Sequence, residues 1–296
     1  MKTNINWYPG HMAKTKRQII EDLKLIDVVI EILDARIPIS SRNPDIGEYT
    51  KNKKKLIILN KYDLADENQN RKWIEYFKEN GIEAVLVNSN TGEGINKAIE
   101  KIEEVYNSGK KQYDEKGRIG KSIRVMVLGI PNVGKSSFIN RISKKTVATV
   151  GNKPGVTRQK QWIRINQNIE LLDTPGILWP KFESEEVALN LSYTGSIKDE
   201  VIEIIEVSFN LIRFLLNKHM DKLLNRYKLN TNEIGEILDL DIEENEKIYE
   251  IMKLIGKKRG ALISGGEVDI EKVSRIILDD FRSGKIGRIT LEDVKK

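Results

Sequence analysis

The sequence predicts an α/β fold, a mainly parallel sheet flanked by helices, followed by a separate all-α domain. Three observations predict it. Apolar runs of strand length recur at residues 27–33 (DVVIEIL), 56–59 (LIIL), 84–87 (AVLV) and 124–128 (RVMVL). Such nearly unbroken runs suit strands buried on both faces. Helical or mixed segments such as 70–80 separate the first three runs, the alternation of parallel strands joined by crossover helices. After about residue 184 strand patterns vanish, and helical periods appear at 201–216, 243–254 and 270–281. The expected domains are therefore 1–183 and 184–296.

The remaining elements follow from shorter signals. Residues 161–165 and 169–172 read as two strands joined by the polar turn 166–168. Residues 107–121 (NSGKKQYDEKGRIGK) are polar and glycine-containing, and read as an exposed linker. No internal repeat or low-complexity tract interrupts the pattern.

Composition narrows the function classes. At 296 residues the chain is long enough for two domains, and 39% hydrophobic content suffices for real cores. Cysteine is absent, which excludes disulfides and thiolate metal sites, and His11 and His219 are too few for a histidine cluster. The first residues lack the apolar run of a signal peptide, and no apolar stretch is long enough to cross a bilayer. A soluble cytoplasmic protein is expected. The net charge of +6 is segregated. Residues 141–169 hold seven Lys/Arg and no acid, whereas 233–253 hold eight Asp/Glu and two Lys. Basic runs return at 51–55, 110–121 and 257–259. Segregated positive charge suits a polyanionic partner, although a basic surface also serves solubility alone.

Four short motifs carry chemistry. Residues 129–136 (GIPNVGKS) have the Walker A spacing, with an apolar strand before them and a helix starting near Lys135. Backbone amides from Asn132, Val133 and Gly134 through Ser137 cradle phosphate there, Lys135 reaches the β/γ-phosphates, and the Ser136 hydroxyl ligates Mg²⁺. Residues 173–176 (DTPG) follow an apolar strand. Asp173 is placed to hold Mg²⁺ and the Gly176 amide to sense a γ-phosphate, with Thr157 in the intervening basic segment as the hydroxyl that closes on the metal. Residues 60–63 (NKYD: Asn60, Lys61, Tyr62, Asp63) end the strand LIIL. The Asp63 carboxylate suits the guanine N1–H and N2–H₂ donors, which adenine lacks. The Lys61 stem covers the base and Asn60 ties the loop to the phosphate loop. Asn88 and Ser89, after the next strand, begin a loop whose backbone amides suit guanine O6. Each motif alone recurs by chance as a strand-end turn; together, all at strand ends, they describe a GTPase site.

Their order is unusual. NKYD precedes the phosphate loop, so the core reads as a circularly permuted P-loop GTPase, with 107–121 bridging the former termini. A P-loop kinase or ATPase lacks the NKYD loop. A passive RNA scaffold has no need of intact Lys135, Ser136, Thr157 and Asp173. Ile177 stands after DTPG where many GTPases hold a water-orienting glutamine, so intrinsic hydrolysis is expected to be slow.

With WYPGHM near the start, and SGGEVDI and DFRSGKIGRIT near the end, this motif order resembles the bacterial ribosome biogenesis GTPase A family, the YlqF type, from Trp7 to Thr290. The resemblance implies a permuted GTPase core, a helical RNA-facing C-terminal domain, and action in late assembly of the large ribosomal subunit. The resemblance also implies hydrolysis stimulated by the ribosomal particle and, through Asn132, by potassium. The leading reading is a switch that grips the large subunit's ribosomal RNA in its GTP form and is released by hydrolysis, in a protein expected to be monomeric when free. A different ribonucleoprotein, such as the small subunit, is the alternative target. The resemblance points to His11 as the group that positions the attacking water; in the free protein a structural or RNA-contacting role fits His11 slightly better. Tyr8 stands where the family usually has Phe.

Overall fold

The structure, a computed structural model, describes residues 11–108, 122–144, 162–172 and 184–294, with 11–16 and 144 described by their backbone only. The chain divides into two compact units, residues 1–183 with 290–296, and residues 184–289. The expected fold class holds, with one correction: the second unit stops at 289, and the segment after it belongs to the first unit.

In the first unit, six strands form one sheet in the order β3-β2-β1-β4-β6-β5. They are β1 (Val28–Asp34), β2 (Lys54–Asn60), β3 (Glu83–Val87), β4 (Ile123–Leu128), β5 (Trp162–Arg164) and β6 (Ile169–Leu172). All pairs are parallel except β5–β6, an antiparallel pair at the sheet edge. Each expected strand is present, within three residues at either end. Val28, Val29, Ile30, Ile32 and Leu33 are fully buried because helices cover the central strands. Helix α1 (His11–Leu23) sets Ile19 and Leu23 against Val29 of β1, and Met126 and Leu128 of β4. After the short helix α2 (Pro44–Tyr49), helix α3 (Glu67–Glu79) packs Trp73 and Phe77 on Leu33, Ile57 and Leu59. The Asp66 carboxylate caps α3, accepting from the Asn68 and Gln69 amides. Helix α4 (Ile95–Asn107) buries Ile95, Ala98, Ile102 and Val105 at helical spacing, and α5 (Lys135–Lys144) follows β4.

Parallel pairing puts the ends of β1, β2, β3 and β4 along one edge of the sheet, the edge at which open α/β sheets bind ligands. Asp34, Asn60 and Val87 stand in one row across β1, β2 and β3.

The second unit is all helical, as expected: α6 (Glu185–Tyr193), α7 (Ile204–Lys218), α8 (Met220–Tyr227), α9 (Thr231–Leu238), α10 (Glu244–Arg259) and α11 (Ile270–Arg282). Helices α7, α10 and α11 pack on one another, burying Leu211, Ile212, Leu215, Ile251, Met252, Ile255, Val273, Ile277 and Leu278. Gly256 permits the close approach, since a Cβ there would lie 2.3 Å from Val268 and 2.7 Å from Val273. Arg226 donates twice to the Asp280 carboxylate, at 2.9 and 2.8 Å, and joins α8 to α11.

Residues 290–294 form a strap on the first unit. The Leu291 amide donates to Arg36 O (2.8 Å), and the Thr290 hydroxyl accepts from the Asp66 amide (3.0 Å). The Glu292 carboxylate accepts from the Ile39 amide (2.6 Å), the Ser40 amide (2.8 Å) and the Ser40 hydroxyl. Trp73 Nε1 donates to Glu292 O at 3.2 Å, and Val294 packs on the Trp73 cluster. No periodic pattern marks such a strap, which is why the sequence places it with the helices before it.

Glu292→Ala removes three acceptor contacts to the segment after β1. It is expected to cost about 1–2 kcal/mol of stability, read as a fall in the urea midpoint of the first unit, while a purely decorative strap would leave that midpoint unchanged.

Candidate guanine-nucleotide site

Three loops leave the carboxyl edge of the sheet, and Asn60 joins them. Asn60 ends β2. Its Nδ2 donates to Val133 O in the phosphate loop (2.7 Å), and its Oδ1 accepts from both the Ser89 amide (3.1 Å) and the Ser89 hydroxyl (2.8 Å). Asn60, Ser89 and Asn88 are all buried, so these bonds form away from solvent. Gly134 is what lets the loops meet: a Cβ there would lie 2.2 Å from Asn60 Nδ2, and its φ of +96° suits glycine. Gly129 plays the same part behind the loop, where a Cβ would lie 2.7 Å from Ile32 O.

The next residue, Lys61, is in the left-handed region at φ 59°. Its ammonium donates to Asn132 O (2.7 Å) and to Asp34 Oδ2 (3.0 Å). Asn132 is exposed and also left-handed, at φ 62°. Asp63 is exposed in the short 3₁₀ turn Tyr62–Leu64. The side chain of Tyr62 packs on the core cluster beneath the loop, so its contribution is support for the turn.

Lys135 opens α5, with Ser136 and Ser137 exposed in the first helical turn. The Lys135 ammonium is buried and donates to Ile130 O at 3.0 Å, so it folds back on its own loop. A helix start that follows a glycine-containing turn is a favourable place for an anion.

The loop after β3 departs from expectation. The Asn88 amide donates to Glu93 O (3.0 Å), Ser89 N to Asn60 Oδ1, and the Asn90 and Thr91 amides to Asn88 Oδ1 (2.9 and 3.1 Å). Every amide assigned to guanine O6 therefore has an internal acceptor, which a base would have to displace. Arg141, first of the acid-free basic segment, donates to Ser89 O (3.4 Å) and to Asn90 O, and Arg164 of the same segment donates to Asn166 O (3.2 Å) and Gln167 O (3.4 Å). Both guanidinium groups donate to backbone carbonyls of their own unit. Thr157, Asp173, Gly176, Ile177 and the His11 side chain lie outside the described residues; α1 begins at His11.

Sequence reasoning missed Asp34 and Arg36. Burial raises the Asp34 carboxyl, but Arg36 and Lys61, through charge and hydrogen bonds, outweigh it and hold it well below the usual carboxylate range. The folded value lies below the unfolded one. The network's stabilisation is therefore complete at neutral pH and is lost on acidification below that range. A strand-end acid beside an arginine was the available signal.

Comparison with known proteins shows the family. A model described as 50S ribosome-binding GTPase matches residues 124–252, and one described as RsgA GTPase matches 48–183. The ribosome biogenesis GTPase A of Bacillus cereus is 44% identical over 291 residues, 97% of this chain and 93% of that protein. The chain belongs to the ribosome biogenesis GTPase A family. It is a GTPase of ribosome biogenesis. Of the solved structures, GDP-bound TM YlqF aligns with a TM-score of 0.65 at 26% identity, over 95% of this chain and all (100%) of that one. GNP-bound YlqF from T. maritima aligns with a TM-score of 0.61 at 26% identity, over 95% and 98%. GTPases of this kind use Mg²⁺. Among the described residues the exposed Ser136 hydroxyl at the head of α5 fits that role, and no helix there is long and apolar enough to span a membrane.

Asn60→Asp keeps the size and the acceptor to Ser89 but turns an oxygen toward Val133 O. Nucleotide affinity is expected to fall by more than about tenfold with a lower unfolding midpoint; calorimetric titration with GDP checks it, and wild-type affinity would show that the three loops hold without Asn60.

Proposed function

We propose that this ribosome biogenesis GTPase is a circularly permuted switch that binds ribosomal RNA of the large subunit in its GTP form, late in subunit maturation, and leaves after hydrolysis. The observation that carries the reading is the joining of the NKYD loop, the Ser89 loop and the phosphate loop through Asn60. A family match described by binding to the 50S particle supports the choice of subunit. The protein works in the cytoplasm, monomeric when free.

In this reading Asp63 accepts from the guanine edge and the Lys61 stem covers the base. Asn88 and Ser89 hold the loop behind it. Amides from Asn132, Val133 and Gly134 through Ser137, together with Lys135, bind the phosphates. Ser136, Thr157 and Asp173 hold Mg²⁺, whose charge favours the phosphate oxygens as negative charge shifts between them. Asn132 holds potassium, and the Gly176 amide senses the γ-phosphate. Ile177 cannot orient water, so the intrinsic rate is low and the ribosomal particle raises it. His11 positions the water once the particle is bound. The helical unit, residues 184–289, faces the RNA; Lys257, Lys258 and Arg259 stand exposed in the last turn of its helix α10.

Asp63→Asn replaces a carboxylate acceptor with an amide. GTP binding is expected to weaken by about a hundredfold or more, while xanthine nucleotides gain; unchanged GTP affinity would remove Asp63 from the base site.

Sedimentation with large ribosomal subunits decides the target. Binding is expected with a non-hydrolysable GTP analogue and not with GDP, falling steeply with salt as phosphate contacts require. Equal binding to small subunits would move the protein to another particle. In the same assay His11→Ala is expected to bind normally and lose the stimulated hydrolysis; failure to bind would make His11 an RNA contact.

A further inference from the structure

Asp34 closes β1, between the strand that ends in the NKYD loop and the strand that leads into the phosphate loop. It is fully buried and stands beside Asn60 in the sheet register. Arg36, itself buried, grips the carboxylate with Nε on Oδ1 (2.9 Å), Nη2 on Oδ2 (2.8 Å) and its amide on Oδ1 (3.1 Å). The Asp34 amide donates to the Ser41 hydroxyl at 3.1 Å, which fixes the strand end. The Lys61 ammonium is a further donor to this carboxylate, meeting Oδ2 at 3.0 Å while also reaching Asn132 O at 2.7 Å.

We propose that Asp34 is a positioning residue for nucleotide binding. It holds the Lys61 ammonium in one place, so that the lysine stem makes a fixed wall of the base pocket and its tip ties the phosphate loop to the base loop. A free lysine side chain has many rotamers to lose when it is fixed. Asp34 removes that freedom before the nucleotide arrives, and the gain appears as slower nucleotide release. Arg36 supplies the second positive charge that keeps Asp34 ionised where it is buried. The inference rests on the reading of residues 60–63 as the base loop.

A double-mutant cycle on the full chain tests it, with Asp34→Asn, Lys61→Met and the pair, reading GDP affinity and GDP release rate. Each single change is expected to weaken GDP by about tenfold, mostly through faster release, and the pair is expected to be no weaker than Lys61→Met alone. Losses that multiply in the pair would make Asp34 a merely structural residue and overturn the proposal, as would wild-type GDP affinity in Asp34→Asn. If Lys61→Met itself binds GDP normally, the base-loop reading falls and the proposal with it. Asp34→Asn leaves a buried guanidinium without its anion, so the cycle is repeated on an Arg36→Gln background, where neutral amides replace the charged pair and the same outcomes decide.

Discussion

Asn60 spends both ends of one amide on two different loops, and the nucleotide edge of the sheet depends on it. Its donor end holds Val133 and its acceptor end holds Ser89, so the strands β2, β3 and β4 present their loops in fixed relation. An aspartate or a leucine at this position could satisfy one loop or neither. The glycine at 134 follows from the same contact, because the asparagine occupies the place where a side chain would stand. The joining of these loops is thus a property of three strand ends together.

Around that contact lies a second layer made of charge. Burying Asp34 and Arg36 is expensive, and it is offset only because the pair is bidentate and every oxygen of the carboxylate is used. Arg36 O accepts from Leu291, so the segment after β1 is held from the nucleotide side by charge and from the far side by the strap. Glu31, three residues earlier on β1, is a different case. Burial pushes its carboxyl up, against the opposing charges of Arg42 and Lys55, and its nearest cation, Arg42, lies at 3.4 Å.

Much of this was legible in the sequence for simple reasons. The strands are apolar runs buried on both faces, and that pattern needs no partner to be recognised. Helices α7, α10 and α11 show their period because one face is buried against the others. The proposed site motifs were legible because a positive φ demands glycine at 134 and because Lys135, Ser136 and Asp63 stand at recognisable spacings from strand ends. What was missed was relational. Nothing in the order of residues says that Asp34 meets Lys61, that Arg141 turns back to the Ser89 loop, or that the amides after β3 already have acceptors. The strap was missed for the same cause: Leu291, Glu292 and Val294 act through individual contacts and leave no period.

The return of residues 290–294 to the first unit also sets the order in which the protein can be finished. Domains made on the ribosome usually fold one after another as the chain emerges. Here the nucleotide-binding unit is still missing its strap when its sheet has been synthesised, and it waits for 106 residues of a different unit, 184–289, before the closing segment exists. Until then Trp73 and the amides of Ile39 and Ser40 lack the partners they have in the finished protein. A chain halted anywhere within the helical unit carries every strand of the sheet but an unfastened segment after β1, so that segment is completed only after the helical unit has been made.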